Sequence, residues 1–225
     1  MSRRVCFLFD GFNLYHSLAQ ASAETGDHSL KWLDLVGLGR SCLHLVDKTA
    51  EIQSVHYFTA LPEHLHKTDP TRLLRHKTYL RAITAHGPVR PLIHIGRIQQ
   101  QAVRITTDTG PQEGRLWREK GTDVALAMTL VEILASGAAD DAVIISGDAD
   151  YLPAAETIKR MFPHISVRFG FPRGRTSSEL LKAAPLSFTF TTASYAAHPL
   201  PDAIRLPSGK WIHCPSEWRK KLSSS

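Results

Sequence analysis

Cysteine is scarce in this chain: three among 225 residues (Cys6, Cys42 and Cys214), with no C-x-x-C spacing. That excludes a disulfide-stapled scaffold and a cysteine zinc site. Cys6 lies in an apolar run and reads as a small hydrophobe, so a reducing, cytoplasmic setting is expected. Long apolar runs are missing too. No stretch approaches the ~18 residues of a membrane span, and no membrane partner is expected. The apolar run after Met-Ser-Arg-Arg stops at Asp10 with no small-residue cleavage site behind it, so it reads as a first strand rather than a leader. No repeat of fixed period is present. The 43% hydrophobic content suits a globular chain that buries a core. Acids are in the minority, 21 Asp and Glu against 27 Lys and Arg, for a formal charge of +6. The excess favours an anionic partner, with nucleic acid first and a solvated basic surface as the plain alternative.

What the chain does have is an alternation of strand and helix signals. Strands are expected at 5–9, 55–60, 91–98, 142–146 and 166–170, with a further short one within 186–191. Helices are expected at 13–20 with Asn13 as N-cap, at 32–46, at 71–86 with Thr71 as cap, at 124–136 closed by Gly137, at 151–162 and at 177–184. Between 99 and 120 the alternation of Val103, Ile105 and Thr107, followed by the turn residues at 109–114, predicts a short antiparallel excursion. From 192 onward Pro199, Pro201, Pro207 and Pro215 exclude a long helix, so 1–191 reads as the domain and 192–225 as a Pro-containing appendage or tail.

Three acidic segments, far apart in sequence, carry the chemistry. Asp10 closes the first strand in Asp10-Gly-Phe-Asn13-Leu-Tyr15. Asp123 stands in Lys120-Gly-Thr-Asp123-Val-Ala. Asp148 and Asp150 follow an apolar strand in Ser146-Gly-Asp148-Ala-Asp150-Tyr151. In a parallel sheet the carboxyl ends of neighbouring strands share one edge, where ligands bind. Acids brought together there repel one another and call for a shared proton or a cation. Hard divalent ions take oxygen ligands, which points to metal-dependent phosphodiester chemistry. A lone Asp before a helix is more often an N-cap, so the weight rests on the coincidence of all three segments, and on Asp10 as an acid with no helix expected directly behind it.

Taken in order, these segments resemble the NYN family, a branch of the PIN-like ribonucleases; Phe169-Gly-Phe and 177–184 are similar to that family's last strand and helix. The resemblance implies a three-layer α/β/α Rossmann-like domain with a mostly parallel sheet and an acidic pocket that binds Mg²⁺ or Mn²⁺ and hydrolyses RNA. It implies Asp10, Asp123 and Asp148 as direct or water-mediated ligands and Asp150 as a fourth acid that ligates or positions water. Asn13 would bond a phosphate oxygen or orient Asp10, and Ser146 would bond a carboxylate. One departure stands out: many relatives carry a second acid six residues after the position of Asp123, and here that residue is Thr129.

The substrate surface is expected in Arg115, Arg118 and Lys120, just before Asp123, and in Arg173 and Arg175 of the loop after the fifth parallel strand. Tyr15, Tyr151 and Phe171 are candidates for base stacking. Arg72, Arg75, Lys77 and Arg81 read as a solvated helix face, and His64 and His66 lack the further ligands of a zinc site. The expected activity is a metal-dependent ribonuclease acting on single-stranded or structured RNA. A binding module of the same fold with weakened or lost turnover is the main rival, and Thr129 is the feature that favours it. A haloacid-dehalogenase-type phosphatase is disfavoured, since it would place an acid where Phe12 stands. No oligomeric state is legible.

Overall fold

The computed structural model describes residues 2–65, 68–107 and 110–220. Seven strands form one sheet: β1 (Arg4–Asp10), β2 (Glu51–Ala60), β3 (Leu92–Thr107), β4 (Gly110–Lys120), β5 (Asp141–Ile145), β6 (Ser166–Phe171) and β7 (Phe188–Thr189), in the order β4-β3-β2-β1-β5-β6-β7. Every pairing is parallel except β3 with β4. The chain builds outward from β1 in one direction and then resumes at β5 on the other side. The reversal of strand order therefore lies between β1 and β5, the place where a parallel sheet opens a crevice at its carboxyl edge.

Side-chain alternation along β1 splits the core in two. Val5, Phe7 and Phe9 point to a face covered by α1 (Gly11–Thr25), α2 (Leu35–Ser41), α3 (Leu43–Val46) and α4 (Pro70–Ala85). Cys6 and Leu8 point to the other face, covered by α5 (Thr122–Ala135), α6 (Leu152–Met161) and α7 (Ser178–Ala183). The α5 side buries Leu126, Leu130 and Leu134 at four-residue spacing, a single stripe facing the sheet.

Several boundaries differ from the sequence expectation. The first helix starts at Gly11 rather than at 13, because Asp10 itself is the N-cap and accepts the Asn13 N–H. The helix expected over 32–46 is broken at Cys42 into α2 and α3. α4 is capped by Asp69, with Pro70 in its first turn, instead of by Thr71. β3 runs nine residues past 98, and with β4 it forms a long two-stranded ribbon that overhangs the carboxyl edge. Of the turn expected over 109–114, residue 109 lies outside the described residues, while 110–114 belong to β4 instead.

The segment from 192 contains α8 (Thr192–Ala196) and an antiparallel pair, β8 (Ala203–Arg205) and β9 (Trp211–His213). Tyr195, Leu200, Ile204, Ile212, Cys214 and Trp218 are buried in the same cluster as Phe7 and Phe9. Trp32 Nε1 donates to the Pro201 carbonyl at 2.9 Å. Prolines rule out a long helix here but leave short elements that pack well.

Candidate active site

Asp10 ends β1 and is 8% exposed. Its Oδ1 accepts the Asn13 N–H at 3.0 Å, and its Oδ2 accepts the Ser146 hydroxyl at 2.8 Å. The Ser146 oxygen in turn accepts the Asp148 N–H at 3.1 Å, and Asp148 Oδ1 accepts the Asp150 N–H at 3.0 Å. A chain of hydrogen bonds thus runs from the end of β1 to the loop after β5. Asn13 ties the same two elements by another route, its side-chain oxygen accepting the Gly147 N–H at 3.1 Å.

The third acidic segment arrives through Tyr151. Its hydroxyl donates to Asp123 Oδ1 at 2.8 Å and lies 3.4 Å from Asp10 Oδ2, so one phenol bridges two carboxylates. Asp123 sits in the first turn of α5, where the helix dipole favours a negative charge. Burial pushes the Asp10 carboxyl up to about 6; the nearby charges of Asp123 and Asp148 add to this, while the Asn13 N–H and the Ser146 hydroxyl pull it back. The Tyr151 phenol is also driven far up, by burial and then by the same three acids. Asp10, Asp123 and Asp148 therefore share one electrostatic neighbourhood. Asp150 is solvent-exposed at its margin.

No group of three or more His, Cys, Asp or Glu side chains sits at metal-ligating spacing among the described residues. The Tyr151 hydroxyl holds Asp10 and Asp123 in a bridged arrangement. The donor set nonetheless suits a hard cation: three carboxylates and a hydroxyl, all oxygen, with the innermost acid facing two like charges and, among the described residues, no ion-pair partner. Thr129 is half-buried on α5, and among the described residues no hydrogen bond joins it to these acids.

Gly147 has a mechanical role. A Cβ there would collide with the Arg175 carbonyl, so the loop after β6 rests backbone to backbone on the acidic loop. Arg175 is brought to this edge, its Nε buried without a hydrogen-bond partner. Arg173 is drawn away, its guanidinium paired with Glu24 at 2.6 Å. Arg115, Arg118 and Lys120 are exposed on β4. Alternation puts Arg115 on the ribbon face of Trp117, and Arg118 and Lys120 on the other.

Two stacking candidates do not survive. Tyr151 and Phe171 are each 1% exposed and belong to the core beneath α5 and α7. Tyr15 is half-buried and lines a cavity beside the acids. Tyr151 instead emerges as the carboxylate bridge, a role its position at a helix start gave no reason to expect. Arg72 and Arg75, read from sequence as a solvated face, line that same cavity. His64 stacks on Trp117 with ring centroids 4.8 Å apart. His66 lies outside the described residues.

No curated protein matches the chain. Among solved structures, a protein of unknown function from Vibrio parahaemolyticus aligns with a TM-score of 0.48 at 18% identity, covering 84% of this chain and 94% of that one. The model of the NYN domain matches residues 7–192. That span takes in the second half of β1, the other six strands of the sheet and all three acidic segments, and the chain belongs to the NYN domain family.

Proposed function

We propose that the protein is a metal-dependent ribonuclease that hydrolyses RNA phosphodiester bonds at the carboxyl edge between β1 and β5. The observation that carries the reading is the meeting of Asp10, Asp123 and Asp148 there, with the innermost acid buried, hydrogen-bonded and opposed by like charge. Capping α1 accounts for one oxygen of Asp10, but not for its position beside two further acids with no ion-pair partner among the described residues.

Asp10, Asp123 and Asp148 are the residues that would hold Mg²⁺ or Mn²⁺, with water completing the shell and the exposed Asp150 positioned to orient it. When bound, such an ion lowers the pKa of water and offsets charge on the phosphoryl oxygens. The protein's own part is positioning. Ser146 and the Asn13 N–H fix both oxygens of Asp10. Asn13 also clamps Gly147, which holds Asp148 beside Asp10, and its side-chain NH₂ has no partner among the described residues, leaving it to bond a phosphate oxygen. Tyr151 sets the spacing of Asp10 and Asp123. Arg175, Arg118 and Lys120 supply the charge that attracts the backbone of the RNA. The three buried cysteines suit a reducing, cytoplasmic setting, and no helix among the described residues is long and apolar enough to cross a membrane.

A binding module with lost turnover is the second reading, favoured by Thr129 at a position where many relatives carry an acid. End-labelled RNA incubated with the purified protein in EDTA, Mg²⁺ or Mn²⁺ separates the two. The expected result is weak cleavage that EDTA abolishes, with Thr129→Asp reaching its maximal rate at lower metal concentration. Intact RNA with both proteins, while wild type still binds it, would make this a binding module.

A further inference from the structure

Beside the acids lies a cavity of about 240 Å³ that the proposed reaction does not use. It opens between α1, the end of β2, α4 and the β3–β4 ribbon, and Trp218 closes it. Gly11, immediately after Asp10, forms part of its wall. The Tyr57 phenol, also in the wall, feels the Asp10 charge. The cavity and the acidic edge are therefore neighbours.

Its walls are of two kinds. One is aromatic: Trp117 is 48% exposed, stacked on His64 with an interplanar angle of 21°. The other is cationic. Arg72 and Arg75 lie one turn apart on α4 and Lys31 comes from the segment between α1 and α2, yet Arg75 and Arg72 both depress the Lys31 ammonium, after burial, by their like charge. Among the described residues Arg75 is paired with Glu217 at 2.7 Å, and neither Lys31 nor Arg72 has an ion-pair partner. The acid within the wall, Glu119, is engaged by the Thr122 N–H at 2.9 Å. His64 Nδ1 is buried there with no hydrogen-bond partner among the described residues. Grouped cations, an orphaned ring nitrogen and an open aromatic face are each costly alone, and one ligand satisfies all three: an anion joined to a planar heterocycle.

We infer that this cavity holds a single unstacked nucleotide of the RNA, its base against Trp117 and His64 and its phosphate among Lys31, Arg72 and Arg75. The volume is below the ~300–1,000 Å³ of full-sized ligand sites, which suits one base and not two stacked ones. The inference rests on RNA being the ligand of the acidic edge, and it narrows that ligand to RNA with an unpaired nucleotide next to the scissile bond, because a base held in a duplex cannot enter.

The test needs neither metal nor cleavage. The full chain is titrated calorimetrically with AMP, UMP, adenosine and inorganic phosphate, and by anisotropy with a fluorescent single-stranded RNA and its blunt duplex. Trp117→Ala, Trp117→Phe and Arg72→Glu are measured beside wild type; both positions are solvent-exposed, and circular dichroism checks the fold. Nucleotides are expected to bind more tightly than adenosine or phosphate. Trp117→Ala should weaken AMP and single-stranded RNA about 10-fold, as loss of one base stack does, with Trp117→Phe restoring most of it. Arg72→Glu should weaken AMP and phosphate together, and single-stranded RNA should bind about 10-fold tighter than duplex. Phosphate binding as tightly as AMP, Trp117→Ala without effect, or equal affinity for duplex and single strand would each overturn the assignment. Absence of cleavage with these affinities intact would remove the ribonuclease and leave the nucleotide site standing. Cleavage by a protein indifferent to Trp117→Ala would do the reverse.

Discussion

Asp10 and Asp141 lie on adjacent strands at opposite ends of the sheet, 8% and 2% exposed. Asp141 opens β5 and is balanced: Arg3 forms an ion pair with it and the Ser166 N–H donates to its other oxygen. Its neighbour Asp140 is held by Arg4 at 2.7 Å, which drives its carboxyl down to about 2. Asp10 closes β1 with hydrogen bonds but, among the described residues, without an ion-pair partner; burial and then the charges of Asp123 and Asp148 move its carboxyl up to about 6. Burial is common to Asp10 and Asp141, so burial does not mark a functional acid. What sets Asp10 apart is charge left uncompensated by folding, a cost that a proton or a bound cation relieves.

The sharpest break of this contrast is a pair of substitutions. Asp10→Asn keeps volume and one of the two accepted hydrogen bonds but removes charge. It should abolish RNA cleavage by more than the ~10–100-fold typical of groups that only orient a metal ligand, with stability unchanged or raised. Asp141→Ala should cost about 1–3 kcal/mol in chemical denaturation, since it leaves the Ser166 N–H and Arg3 without their partner, while the folded fraction keeps its activity. If the two variants behave alike, both acids are structural.

Charge around the site gives the next largest effect. Arg118→Glu with Lys120→Glu should lower RNA affinity about 10-fold and flatten the salt dependence by roughly 0.7 in log–log slope for each phosphate of a single strand that is no longer neutralised. Arg173→Ala, already satisfied by Glu24, should change little. Filter binding across a salt series would show whether these residues differ as described; equal losses of affinity would mean that Arg173 leaves Glu24 to meet RNA.

Tyr151→Phe tests the bridge itself. Without the phenol, Asp10 and Asp123 repel more strongly when no ion is present, so the metal-free variant should melt lower and gain more on adding Mg²⁺ than wild type does. An identical metal-induced shift in the two proteins would leave the bridge without consequence.

The smallest effect concerns pH. His56 is buried against His94, with its Nδ1 3.1 Å from His94 Nε2, and burial lowers it from 6.5 to about 4. Below 6.5 the unfolded chain takes a proton that the folded one refuses, so stability should fall as pH drops from about 6.5 to 4. His56→Gln should flatten that slope in thermal melts; an unchanged slope would shift the effect to other groups.

The strand and helix order is legible in the sequence because each element carries its own pattern, and because Asp10, Asp123 and Asp148 each sit at a strand end or helix start. Bridging and packing are not. Tyr151 reads in sequence like any aromatic at a helix start, and only the fold brings its hydroxyl between carboxylates 141 and 28 residues away. Arg72 and Arg75 sit on a charged helix face whose neighbours, Trp117 and Lys31, come from remote segments. Asp10 reads as an acid with no helix directly behind it, yet it caps α1; local capping and a wider charge imbalance coexist in one side chain.

Trp218 packs near Trp32 and Tyr79, with ring centroids 6.4 and 6.3 Å away, and forms part of the cavity wall. It lies 26 residues beyond the last position of the family match, residue 192, so the acids are all made well before the wall that stands beside them. During synthesis from the N-terminus, the ribosome therefore delivers the chemical centre early and the neighbouring compartment late. A nascent chain can carry its carboxylates while the hollow next to them is still open on one side, and it acquires its final shape only once residue 218 has left the exit tunnel.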